Sequence, residues 1–203
     1  MAPQGATKQT HEDIRDRCKV IVLGVQYGMS AESMAVSAGL HVVDAREMLL
    51  RHKETFHVFW AWADQNINAA LLGGTLYTQF GWPIRIGPGA EANPRSLLNW
   101  PMQANGAEMM RLACMMATEA GLMICAPIHD ALLLEAPANQ IDEQVAQLKQ
   151  IMEKASELVL GEGFVCGVDV EIVTYPHRYS DKRGAVMWDR VMTLCEEVEQ
   201  AVA

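Results

Sequence analysis

The feature that most constrains this chain is a change of period at the glycine pair Gly73-Gly74. Before the pair, apolar residues recur at the spacing of a helix face. After it they alternate: Leu76, Thr78 and Phe80 fall on one side, with Trp82 and Ile84 following Gly81. A period near 3.6 calls for helices and a period of 2 for strands with one covered face. Helices followed by strands in hairpins, with further helices, define an α+β protein: a helical region, then a region with a short antiparallel sheet and packed helices.

Local signals divide the chain further. Thr10 followed by Asp13 reads as a capping box, opening a helix that runs to about Tyr27 and stops at Gly28. Short helices are expected over Ser30–Ala38 and Asp44–Lys53, and a longer aromatic-rich one over Glu54–Leu72. Thr75–Ile86 reads as a hairpin, Gly87–Pro94 as a loop and Arg95–Glu119 as a long helix. Two apolar runs, Leu122–Ile128 and Ala131–Ala136, flank His129-Asp130 and suggest a second hairpin. Ile141–Leu160 reads as an amphipathic helix, Phe164–Thr174 as a strand and Gly184–Val202 as a terminal helix. The methionine-rich stretch Met102–Met123 is expected in the core.

Composition excludes several classes. Hydrophobic residues make up 50% and charged residues 20%, as in a globular chain. No apolar run approaches the roughly 18 residues that span a bilayer, and the amino terminus has no signal-peptide core. A cytoplasmic protein with no membrane partner is the resulting expectation. Cys18, Cys114, Cys125, Cys166 and Cys195 form no CxxC pair and are expected as reduced, mostly buried thiols. The net charge of −9 argues against a strongly basic nucleic-acid surface. Residues 137–203 hold 12 acidic and 6 basic side chains, a net of −6, which leaves −3 for residues 1–136. The acidity therefore sits mainly in the last third.

Three groups of residues carry chemistry. Arg15, Lys19, Leu23 and Tyr27 lie four apart on the first helix and form one slowly spiralling stripe. Two cations near a helix amino terminus suit a triphosphate, and the aromatic that follows suits a sugar and base. The same spacing fits a solvated amphipathic helix with Tyr27 in the core. Arg95, Asn99 and Gln103 repeat the spacing at the start of another helix, with Pro101 between them. They fit either a polar solvent edge or donors to nucleic acid. His129-Asp130 between apolar runs is either a turn or an exposed metal ligand.

These segments together resemble the DNA polymerases of family A, the bacterial DNA polymerase I type. RDRCKVIVLGVQYGMS is similar to the family's RxxxKxxxxxxxYG motif, RSLLNWPMQANGAEMMRLA to its RxxxNxPxQ pattern, and ICAPIHDALLLEAP to its HDE motif. The resemblance implies a flexible stretch at 1–10, a helical fingers-like region at 11–72 and a palm-like region with a terminal helix at 73–203. It implies that Arg15 and Lys19 bind the triphosphate of an incoming dNTP, with Lys19 also catalytic, and that Tyr27 guards the templating position. At Leu23 the family usually carries Phe or Tyr against the deoxyribose. Arg95, Asn99 and Gln103 match residues that contact the primer-template minor groove, where donors can test pair shape without reading sequence. Asp130 matches one of two catalytic aspartates that hold Mg²⁺, and His129 a catalytic residue near the primer terminus.

Two departures stand out. The usual Glu after His-Asp is Ala131. The family's other catalytic aspartate lies in a palm strand ahead of the fingers helix, and Glu12 and Asp13 are better explained as first-turn helix charges. Polymerases use two Mg²⁺ ions, and one aspartate does not hold both. The expected function is the carboxy-terminal part of a DNA-directed DNA polymerase that adds dNTPs to a primer and needs a separate amino-terminal palm segment. The alternatives are a non-catalytic remnant that binds nucleotide or DNA, and an interaction protein reusing the scaffold.

Overall fold

In a computed structural model of the chain, residues 3, 5–7, 9–87, 93–181 and 183–202 are described. Four helices come first: α1 (Glu12–Gln26), α2 (Ala31–Ala38), α3 (Val42–Thr55) and α4 (His57–Leu71). The expected capping box does not form. The N-cap of α1 is His11, with no side-chain cap bond. Thr10 is engaged locally instead: the backbone N–H of Thr7 donates to its Oγ1 at 2.9 Å. Thr side chains compete with helix starts in this way. The suggested looseness of residues 1–10 lies partly outside the described residues.

Ser30 caps α2 by accepting the Ser33 N–H at 3.2 Å, and Gly39, at φ 63, ends it in a left-handed turn. The helix expected from Glu54 starts at His57, because Phe56 serves as the C-cap of α3 and the N-cap of α4. Met34 is fully buried at the centre of the first core, among Ile21, Val25, Ala35 and Ala45.

The period change at Gly73-Gly74 is real. β1 (Thr75–Tyr77) pairs antiparallel with β2 (Pro83–Arg85), Leu76 opposite Ile84. This hairpin packs with Ala70 and Leu97 into a second small core. Residues 88–92 of the expected loop lie outside the described residues, and Pro94 already belongs to α5 (Pro94–Glu119). Pro101 sits inside α5; the Asn105 side-chain amide donates to the Pro101 carbonyl at 2.8 Å.

The long helix is fastened to the first hairpin by polar groups. Thr78 Oγ1 donates to Glu108 Oε1 at 2.9 Å and accepts the Trp82 N–H at 2.9 Å. The Gln79 N–H donates to Asn105 Oδ1 at 3.0 Å. Glu108 is almost wholly buried, and Arg111 completes its partners through Nε at 3.0 Å and a shorter contact from its Nη2. The Arg111 hydrogen bonds hold the Glu108 carboxyl below the usual carboxylate range, against the opposing effect of burial.

A third core lies between α5, the second hairpin and α6 (Ile141–Leu160), around Ala117, Leu122 and Leu148. The hairpin is β3 (Ile124–Ile128) and β4 (Ala131–Leu134), with an irregularity between Ile124 and Ala126. The chain closes with α7 (Ala185–Val202), on which Trp188, Val191 and Leu194 stay exposed.

Four expectations need correction. The two hairpins remain separate two-stranded sheets. No strand forms over Phe164–Thr174: the segment runs without turn or bend but pairs with nothing among the described residues. Its β-branched residues supply the propensity, but a strand also needs a neighbour to take its backbone groups. The cysteines are free but not mostly buried: four are exposed and Cys114 is half-buried, because three small cores leave much apolar surface uncovered. For the same reason the methionines of α5 are at most half-buried, and its buried positions are Leu97, Leu98, Glu108, Ala113 and Ala117. Among the described residues, no helix is long and apolar enough to cross a membrane.

Candidate functional site

The stripe on α1 faces solvent. The core side of this helix is Ile21, Gly24 and Val25, which leaves Arg15, Lys19, Leu23 and Tyr27 exposed. Tyr27 is 53% exposed and does not enter the core. Arg15 makes one long contact, 3.4 Å to the neighbouring Asp16, between two exposed side chains; such a pair is worth little. Lys19 makes no ion pair among the described residues. The two cations are thus available to an anion, although Glu12 and Asp13 share the first turn.

Residues of α1 and of the start of α5 meet. Gln103 Nε2 donates to the Tyr27 hydroxyl at 3.1 Å, across 76 positions of sequence. Beside this contact, Gly28 has φ +65, and a Cβ built on it would lie 2.9 Å from Arg95 Cγ. The glycine therefore does two things: it takes the left-handed turn that ends α1, and it leaves room for the Arg95 stem. Asn93 accepts the Arg95 N–H at 3.0 Å and so fixes the first turn of α5. Arg95 and Gln103 are exposed, and Asn99 is half-buried.

His129 and Asp130 form the two-residue turn between the paired Ile128 and Ala131. His129 has φ 59, a left-handed conformation that histidine tolerates better than most residues. Both side chains are exposed. No hydrogen bond or ion pair joins this turn to the α1 stripe or to Arg95, Asn99 and Gln103 among the described residues.

Magnesium takes several oxygen ligands in a near-octahedral set. Among the described residues no three His, Cys, Asp or Glu side chains converge, and Asp130 stands alone on its turn. The residues present do not by themselves assemble a magnesium site.

Sequence reasoning missed the Thr78, Asn105, Glu108 and Arg111 set that holds α5 against the first hairpin. The signal was there: before its last residue, Glu119, the long apolar helix has a single carboxylate, Glu108, with Arg111 one turn later.

The fold is that of a polymerase domain. It is similar to the POL domain of Pol1 from M. smegmatis, solved in complex with DNA primer-template and dNTP, with a TM-score of 0.60, 22% identity, and coverage of 70% of this chain and 28% of that one. The model of DNA polymerase family A matches residues 3–174, and the chain belongs to that family. Among curated relatives, the thermostable DNA polymerase I of Thermus thermophilus is 30% identical over 158 residues, 72% of this chain and 19% of its own length. The DNA polymerase I of Deinococcus radiodurans is 26% identical over 180 residues, 83% of this chain and 18% of its own length. The chain thus spans about a fifth of the length of these relatives.

Proposed function

We propose that this chain is the nucleotide- and primer-template-binding part of a family A DNA polymerase, and that primer extension requires a carboxylate from outside the 203 residues. The reading rests chiefly on one observation: the exposed α1 stripe adjoins the polar start of α5 through the Tyr27–Gln103 bond. In this reading Arg15 and Lys19 take the triphosphate of a dNTP, Leu23 lies by the sugar and Tyr27 by the templating base. Arg95, Asn99 and Gln103 touch the minor groove of the primer-template, and His129 lies near the primer terminus. Asp130 contributes to Mg²⁺ binding only together with further ligands. Triphosphate binding by paired cations on one helix face is a matter of charge-assisted hydrogen bonds, each worth about 1.5–3 kcal/mol.

The test is dNTP affinity of the wild type against Lys19→Ala. A loss of about 1–3 kcal/mol is expected. Equal affinities reject the reading.

A second reading, a non-catalytic remnant that binds nucleotide or DNA, is favoured by the solitary Asp130. Adding a segment that carries the family's other aspartate separates the two. Restored primer extension supports the enzyme, and binding without extension supports the remnant.

A further inference from the structure

The last helix keeps an apolar face in water. Every residue of α7 from Val186 to Gln200 is exposed. Trp188, Val191, Cys195 and Val198 follow one another at steps of three, four and three, so they form one seam along the helix. Met187, Met192 and Leu194 widen that seam on its two sides. Asp189, Arg190, Thr193, Glu196, Glu197 and Gln200 fill the other face. A helix of 18 residues is marginal in water by itself and takes most of its stability from covering such a seam. α7 also lies beyond residue 174, where the match to the family ends.

Size and charge both fit a second copy of the same helix. Met187, Trp188, Val191, Met192, Leu194 and Val198 are between 42% and 63% exposed. Together they leave on the order of 600 Å² of apolar face per copy, so two copies meeting face to face bury about 1,200 Å², the area at which specific interfaces begin. The charge is divided along the segment. Residues 178–190 carry Arg178, Lys182, Arg183 and Arg190 against Asp181 and Asp189, a net of +2. Residues 191–203 carry Glu196, Glu197 and Glu199 and no cation, a net of −3. A segment that is basic at its start and acidic at its end complements itself when turned end for end.

We propose that α7 is a self-association helix through which two copies of this chain pair antiparallel. One register then sets the whole seam: Trp188 of each copy packs on Val198 of the other, and Val191 on Cys195. The same patch serves both copies, so the contact closes on itself as a two-fold dimer. The acidic end of each helix lies beside the basic approach to the other. A parallel pair would instead bring both sets of glutamates, and both negative helix ends, together. Other occupants fit the charge less well. A helix that lies on a lipid surface carries Lys and Arg on its polar face, and nucleic acid is repelled by acidic groups, whereas here one Arg stands among Asp189, Glu196, Glu197 and Glu199. The inference does not rest on nucleotide binding.

Sedimentation equilibrium of the whole chain, from about 1 to about 100 µM, tests it. A monomer–dimer equilibrium of the 22.4 kDa chain is expected. Val191→Asp combined with Val198→Asp puts charge into the seam and is expected to raise the dissociation constant by about a hundredfold or more. Thr193→Asp, on the outer face, is expected to change it by no more than about threefold. Unchanged amide protection of α5 and α6 shows that the variants are folded. Replacing Glu196, Glu197 and Glu199 together by Gln reads the orientation. An antiparallel pair loses attraction and weakens about tenfold, while a parallel pair loses repulsion and tightens. A chain that stays monomeric at about 100 µM, a dimer indifferent to the Val191 and Val198 substitutions, or a dimer tightened by the glutamines overturns the proposal.

Discussion

Gly28→Ala probes the junction between α1 and α5, and Gly39→Ala provides its control. Both glycines have φ near +65, at +65 and +63. An alanine at either position takes on a left-handed conformation, at about 1 kcal/mol. At Gly39 nothing lies within 4 Å of the new methyl. At Gly28 the methyl meets Arg95 Cγ at 2.9 Å, so the Arg95 side chain has to leave its rotamer, at about 0.5–1.5 kcal/mol more. The first substitution therefore costs about 1.5–2.5 kcal/mol and the second about 1 kcal/mol. Native-state hydrogen exchange in α1 and α2 reads both. Gly39→Ala is expected to speed exchange about fivefold and Gly28→Ala about thirtyfold. Primer-template affinity is expected to fall for Gly28→Ala alone, because only there is Arg95 displaced. Equal exchange rates in the two variants, or equal affinities, would show that Gly28 is a helix stop and nothing more.

Thr78→Val keeps the shape of the side chain and removes the hydroxyl that serves both Glu108 and the Trp82 N–H; a loss of about 1–3 kcal/mol is expected in urea unfolding. The purified chain with Mg²⁺ is expected to extend primers negligibly, since misplacing reacting groups by about 1 Å already reduces rates about a hundredfold; robust extension abolished by Asp130→Asn would refute this. The Asp181 carboxyl, hydrogen-bonded by the Arg183 side chain and then by its backbone N–H, is lowered from 3.8 to about 2. A depressed carboxyl stabilises above its unfolded value, so the Asp181–Arg183 contact is expected to hold at neutral pH and to loosen as pH falls from 3.8 towards 2; carboxyl NMR shifts follow this, and Arg183→Ala should return the midpoint upward.

Much of this architecture was legible because it is local. Ile141–Leu160 was read to the residue, since its amphipathic period and the glycine that follows are properties of neighbouring residues. The turn at His129-Asp130 was visible for the same reason. What was lost depended on distant partners. The Thr10 capping box looked complete, yet Thr7 claimed the hydroxyl. Phe164–Thr174 has every local mark of a strand and lacks only the neighbour. In the candidate site, spacing gave the α1 stripe and the polar face of α5 separately. The Gln103–Tyr27 bond that joins them is a tertiary fact, as is the burial of Glu108.

Among the described residues the apolar interior is divided into three clusters rather than gathered into one. A divided interior loosens cooperativity. The helices around Met34 have their own centre, and so do the elements around Leu148, while α5 with its Glu108 link to the first hairpin runs between them. Heat or denaturant then meets semi-independent folding units instead of one all-or-none body, so that the amino-terminal helices can open and reclose while α5 and α6 stay shut.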